Sequence, residues 1–400
     1  MNTAPTFDVP AYNETDNDAL STELSHFVLD HADHEHSVQL IGEIDEYHTH
    51  VLRAESELHQ LLVPALESDG QTIARENFID TLGEYWQKFL AFLKQLWEKI
   101  VQFCMLHFTI LGRRQLYVKR MIKQVKSLST NPEVYQRLQK QGDFTIDETA
   151  AKYFCFEGHY CSNFGELQHA LAKTGEVVTF LTGDYPKRVI ACGAKIENAI
   201  RSATVENANE TMQQLKGELT RIGYHRIDAG MLGDVRVRSG YTENEQGEDA
   251  KLTGRQVVFT QGDAKITGAS FKPMTIEELA RIFTSMDLML AQIDTFKGGL
   301  YKEVVQHSSS MISATDKFVN IVTSYLKSNK SEDGQPGNAT TYREIMGLNR
   351  QYLSWVKVPL TDLITNLTAI CHGVSTGMEK NIQMYAPEPA QNLFTVIGIV

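Results

Sequence analysis

The sequence predicts a mainly α fold with a small central α+β module and long amphipathic helices at both ends. Three observations predict it. Apolar residues recur at three-and-four spacing through a long aromatic stretch that starts at Trp86. β-formers between closely spaced glycines are confined to the middle, about residues 142–272. Helical start signals and helical periodicity return from Pro273 onward.

Residues 1–22 hold few large apolar side chains and many Asn, Asp and Thr, and read as a disordered leader. Residues 23–130 read as an N-terminal helical domain. Between Leu24 and Leu66, Val38, Ile41, Ile44, Tyr47, Val51 and Leu52 can line one face, with acids and histidines opposite. Pro64 and the Ser68-Asp69-Gly70 turn close that element. Thr72–Thr81 forms a second helical piece, and Gly83 marks a bend before the aromatic helix. In that helix Trp86, Phe89, Leu90, Leu93, Leu96, Trp97, Ile100, Cys104, Phe108 and Leu111 share a face. Trp86, Phe89, Leu93, Trp97, Ile100 and Phe108 are its core anchors. The stretch then turns basic, with Arg113, Arg114, Lys119, Arg120, Lys123 and Lys126 and no acid among them. It ends near Leu128, before Asn131-Pro132.

The α+β module, 142–272, contains strand-like Val235-Arg236-Val237 and Val257-Val258-Phe259, bounded by Gly233, Gly240, Gly254 and Gly262. The polar run Tyr241–Asp249 reads as a hairpin connection, and helical stretches lie near Phe164–Lys173 and Asn207–Ile222. A C-terminal helical domain, 273–390, opens with a Thr275 cap followed three residues later by Glu278. Its pattern runs to Ser328 with a break at Gly298-Gly299, then through a linker at Asn329–Asn338. A last helix follows from Thr341 to Tyr385, interrupted near Pro359. Residues 391–400 form an apolar, β-prone tail.

The composition, 42% hydrophobic and 22% charged, is that of an ordinary globular chain. A net charge of −12 argues against coating nucleic acid with the whole surface but leaves room for a local basic site. Five irregularly spaced cysteines fit a reduced compartment, and the polar N-terminus is not a secretory signal. The longest uncharged run of the aromatic helix, Ile100–Gly112, is too short to span a bilayer.

Nucleotide, nucleophile-elbow and HExxH motifs are absent; no catalytic residue and no cofactor is predicted. Seven of thirteen histidines lie between His26 and His59, and His31, Asp33, His34 and His36 are the candidate metal ligands. Adjacent helical residues diverge, so a solvated polar face is the simpler account. In CFEGHYC, Cys155, His159 and Cys161 match no zinc template and read as buried thiols beside a half-exposed histidine. The aromatic face could pack in the protein's own core, on a partner or oligomer, or in a membrane interface.

Two quoted segments carry a resemblance. An acidic helical start, IGEIDEYHTHVLRAESELHQLLVPALESDG, precedes ENFIDTLGEYWQKFLAFLKQLWEKIVQFCMLHF and its basic continuation GRRQLYVKRMIKQVKSL. This order resembles the internal head and virion structural proteins of large tailed phages. The resemblance implies a non-enzymatic protein made in the host cytoplasm and packaged inside the capsid with the genome, where it acts by assembly with other virion proteins. It also implies trimming after a small residue, any residue, then Glu; Ser21-Thr22-Glu23 fits at the border of the leader. Arg113, Arg114, Lys119, Arg120 and Lys123 would then contact acidic partners or DNA phosphates. The alternatives are a peripheral membrane protein using Trp86–Lys126 and a metal-dependent enzyme using the His31–His36 cluster.

Overall fold

The computed structural model describes residues 19–67, 75–129, 142–204, 206–222, 227–240, 256–264, 266, 269–328 and 339–385. The fold is mainly α, with small sheets confined to the middle and long helices at both ends. Helix α1 spans Ala19–Glu67 and α2 spans Arg75–Leu128, 49 and 54 residues. At 1.5 Å per residue α2 is about 80 Å long. Residues 19–22 are helical, as is Pro64, and α2 runs through Gly83 without a break. The two helical pieces read from the sequence before Leu128 are therefore one element, because Gly83 carries only its intrinsic propensity cost while Leu82, Trp86 and Phe89 are buried around it.

The central region begins with β1 (Phe144–Thr145) and the short α3 (Glu148–Ala151), then the hairpin of β2 (Cys155–Phe156) and β3 (His159–Tyr160). Helix α4 (Phe164–Thr179) is capped by the Asn163 side chain, which accepts from the Glu166 N–H. It passes through a π-helical turn, Phe180–Asp184, into α5 (Tyr185–Ser202). Pro186 explains the turn. Proline has no N–H to offer the Thr182 carbonyl, and the preceding Tyr185 N–H reaches back five residues to Phe180 O. The sequence pattern did not reveal α5, whose Pro186 and Gly193, with Gly183 in the turn before it, interrupt the usual periodicity.

After α6 (Ala208–Ile222), β4 (Ile227–Met231), β5 (Val235–Gly240) and β6 (Gln256–Gln261) form an antiparallel meander, with Ala229 opposite Val237 and Val237 opposite Phe259. β7 (Ser270–Phe271) returns to pair with β1. Asp234 ties these pieces together. In a left-handed conformation, φ 56°, it donates its N–H to Cys155 O (2.9 Å) and accepts at its own carbonyl from Gly262 (2.7 Å). Its carboxylate accepts the N–H groups of Gly158 (2.7 Å) and Ala264 (2.9 Å).

Helices α7 (Ile276–Gly298), α8 (Leu300–Ser328) and α9 (Ala339–Gln383) complete the chain. Thr275 and Glu278 form a reciprocal capping box on α7. α7 and α8 lie antiparallel to α2 in succession: Asp287 meets Gln115, Phe296 meets Phe108, and Tyr301 meets Phe108 again beyond the Gly299 break. α9 runs parallel to α2, with Thr368 beside His107 and Glu379 beside Tyr117. Its expected interruption at Pro359 does not occur. The helix stays continuous, and Val356, Leu360, Leu363 and Ile364 are buried on either side of the proline.

The chain divides into two units, residues 1–36 with 387–400, and Ser37–Ala386. In the first unit, residues 19–36 are helical. In the second, the stretches that composition separates near 130, 142 and 272 share a continuous hydrophobic core. There α1 runs antiparallel to α2: Ser37 lies beside His107, Glu43 pairs with Lys99 at 2.7 Å, and His50 stacks on Phe92.

Candidate functional site on the long helix

The first half of α2 is spent on packing. Trp86, Phe89, Leu93, Trp97, Ile100 and Phe108 are each at most 5% exposed. Phe108 packs edge-on against Phe296 and Tyr301, which places it across the junction of α7 and α8. The face that a membrane-interface helix would need is inside the core. Among the described residues no helix is long and apolar enough to cross a membrane.

The basic half divides into two groups. Arg113 and Arg114 are half-buried, and the Arg114 guanidinium is close enough to Glu379 and Cys371 of α9 to act on both electrostatically. Burial pushes the Glu379 carboxyl up, against the pull of the Tyr117 hydroxyl, which donates to it, and of Arg114. Arg114 thus serves the α2–α9 seam. Lys119 reaches Asp287 of α7 at 4.0 Å, and Gln115 donates to the same carboxylate at 3.1 Å. Arg120, Lys123 and Lys126 are exposed. Leu116, Arg120 and Lys123 follow at i, i+4 and i+7, so they share one face, with Leu116 43% exposed. The resulting feature is an exposed cationic strip with one apolar contact point, on a helix fixed at its other end by aromatic packing. It can hold phosphates or carboxylates by charge and hydrogen bonding. Leu116 escaped the sequence reading, because it falls outside the aromatic stripe and one isolated leucine is no signal.

The remaining candidates are scattered. Asp33 is half-buried and His36 exposed on α1, while the side chains of His31 and His34 lie outside the described residues. Among the described residues no group of three His, Cys, Asp or Glu is arranged to hold a metal ion. Ser21, Thr22 and Glu23 lie in the first turns of α1, and their side chains too lie outside the description. Cys155 and Cys161 are buried and His159 is exposed on a hairpin whose turn residues, Glu157 and Gly158, take positive φ. Burial pushes the two thiols up to about 11 and about 12, so neither is a ready thiolate.

One buried polar group was not foreseen. His107, 4% exposed, accepts at Nε2 from Ser37 Oγ (2.8 Å) and lies 3.3 Å from Thr368 Oγ1 through Nδ1. The Thr368 hydroxyl already donates to Ile364 O, so Nδ1 carries the ring proton. Burial lowers its pKa to about 4. It pins α1, α2 and α9 at the place where the basic half of α2 begins.

Comparison with curated proteins and with solved structures finds no match. Comparison with protein families matches residues 64–373 to the phiKZ-like phage internal head proteins. The matched region takes in α2, the whole central region, α7, α8 and most of α9. This chain, whose aromatic-to-basic helix lies within the first part of the match, belongs to the phiKZ-like phage internal head proteins.

Proposed function

We propose that this chain is a non-enzymatic structural protein of the virion, made in the host cytoplasm, carried inside the capsid and acting by assembly contacts. The basic half of α2 supplies the contact: Arg120 and Lys123, with Lys119 and Lys126 beside them, engage acidic surfaces of other virion proteins or DNA phosphates. The observation that supports this most is an exposed cationic strip within the family-matched residues, on a helix whose apolar face is already committed to the core. Arg114 contributes through the α2–α9 seam, and Arg113 is half-buried beside it.

The test replaces Arg120→Glu and Lys123→Glu together and measures the chain's abundance in purified heads by mass spectrometry. We expect at least a tenfold loss of incorporation, with a Lys94→Glu control on the exposed side of the aromatic half unchanged. Normal incorporation of the double variant would refute the contact. If the ligand is DNA, the same substitutions lower the slope of log affinity against log salt by about 2, since each phosphate contact contributes about 0.9. Trimming after Glu23 belongs to the same reading. Proteases take extended backbone, so cleavage there requires the first turns of α1 to open. The intact mass of the particle-borne chain tests this: a chain starting at Leu24 is expected, and an unshortened one contradicts it.

A further inference from the structure

Apolar side chains exposed singly need no explanation, whereas several on one face mark a contact surface. Among the described residues seven large apolar side chains are exposed, and five of them fall on two faces of the compact unit Ser37–Ala386. The first face is on α1. Val38, Ile41 and Leu52 are 55%, 40% and 42% exposed, and with Asp45 and His48 between them they follow at alternating steps of four and three, along one side of the helix. The second face spans α2 and α7. Leu116 is 43% exposed and Leu288 62%. Gln115, next to Leu116, donates to Asp287, next to Leu288, at 3.1 Å, so the two leucines stand at the same level on neighbouring helices.

The two faces carry opposite charge. The sequence from Ser37 to Leu58 holds Glu43, Asp45, Glu46, Glu55 and Glu57 against Arg53 alone. Glu43 and Glu55 are spent on Lys99 and Arg350. Asp45 and Glu46 keep side chains that are 70% and 68% exposed, Asp45 in line with Ile41 and Leu52, and Glu46 beside it. Around Leu116 stand the exposed cations Lys119, Arg120, Lys123 and Lys126. One chain does not bring its own two faces together. From Ser37, beside His107, α1 runs past Lys99 to Phe92, away from the basic half of α2, and its apolar stripe lies on the side turned from the core.

We propose that the partner of the basic strip is a second copy of this chain, whose outer α1 face, Val38, Ile41, Asp45, Glu46 and Leu52, docks on Leu116, Leu288, Lys119, Arg120 and Lys123. The inference rests on the assembly reading of the strip and names the acidic surface that meets it. Two properties select a second copy. Its charge is complementary, which orients and speeds the encounter. It also offers apolar side chains to Leu116 and Leu288, whereas the phosphates of DNA would satisfy the cations and leave both leucines in water. The contact joins unlike surfaces, so each docked pair keeps one free face of each kind. Such head-to-tail contacts close into rings or continue as filaments, a route by which one chain can fill a volume without a symmetric dimer.

Zero-length carbodiimide cross-linking of an equal mixture of isotope-labelled and unlabelled full chain tests this on the native sequence. The reagent joins carboxylates to lysines already in contact, and the Glu43–Lys99 pair is the positive control within each chain. Links from Asp45 or Glu46 to Lys119 or Lys123 are expected between labelled and unlabelled peptides, reduced at least fivefold in high salt. A map with Glu43–Lys99 but no such link between copies would overturn the proposal. Sedimentation velocity with two variants tests the pairing of unlike faces. Ile41→Lys with Glu46→Lys alters the α1 face, and Arg120→Glu with Lys123→Glu alters the strip. Each variant alone should need at least tenfold higher concentration than wild type to associate. Mixed in equal amounts, each supplies the intact face that the other lacks, and pairs should form again at the wild-type concentration. Wild-type association by either variant alone, or no recovery on mixing, would overturn the proposal. A chain that stays monomeric while its Arg120→Glu, Lys123→Glu variant is lost from heads would refute the second copy as partner and leave the assembly reading with DNA or another virion protein in that place, so the two readings fail separately.

Discussion

His107 is a basic group held neutral inside three packed helices, and its surroundings make a pH-dependent contribution to stability. The ordinary histidine pKa of 6.5 falls to about 4 on folding, chiefly through burial. Between those values the unfolded chain binds a proton that the folded chain does not. The contribution is therefore intact above pH 6.5 and is lost as pH falls toward 4, by up to about 3 kcal/mol. Buried carboxyls shift the other way: Glu55, Asp362 and Glu379 are all raised by burial, so total stability mixes both signs. The comparison that isolates the imidazole is wild type against His107→Gln, which keeps a polar side chain opposite Ser37 and Thr368. By urea unfolding, the stability advantage of wild type should shrink by about 2–3 kcal/mol between pH 7 and pH 4.5. A constant difference would show that the ring is not buried neutral. Asp234 has the complementary role in the central region, where four of its polar groups hold three strand-ends at once.

At the scale of elements, α9 owes its close packing to two glycines one turn apart. A Cβ on Gly373 would overlap the Tyr153 ring, and one on Gly377 would come within 2.6 Å of Phe154. Both aromatics belong to the short turn after α3, which sits directly on the helix backbone. Alanine is the better helix former by about 1 kcal/mol, so propensity alone makes Gly373→Ala stabilising. Overpacking against an aromatic ring costs about 1–3 kcal/mol and is the larger effect. Gly373→Ala is expected to lower the unfolding free energy by about 1–2 kcal/mol, and raised stability would contradict the close approach. Elements also mark what the sequence made legible. The stripe from Trp86 to Phe108 and the Thr275–Glu278 box were legible because both are written in local spacing. α5 was not, since Pro186 forces a π-turn whose register no 3.6-residue pattern fits. Pro359 misled in the other direction: its helix-breaking tendency is local, whereas the buried side chains that keep α9 continuous come from packing across the molecule.

Across the whole molecule, α2 is the element that other helices use. α7 and α8 follow it in the opposite direction, α9 runs with it, and the start of α1 in the compact unit packs beside it. This arrangement decides which part of the basic stretch is left exposed, and that could not be read from the sequence. Arg114 looks equivalent to Arg120 and Lys123 along the chain; what distinguishes it is α9, whose Glu379 lies 262 positions from Tyr117. The same distance hid His107, whose partners stand 70 and 261 positions away. The family was visible earlier than the site because the order of acidic, aromatic and basic segments is a property of the sequence itself, whereas exposure depends on the fold.

The proposed contact requires that a partner cover the outer face of the basic half of α2 inside the head. Lysine reactivity toward a small acylating reagent measures this directly, in intact heads and in the free protein under the same conditions. Lys123 and Lys126 should be modified at least five times more slowly in heads than in free protein, while Lys88 and Lys94, exposed on the aromatic half, change less than twofold. Equal labelling of all four lysines in both states would mean that the strip meets nothing in the particle, and would contradict the account.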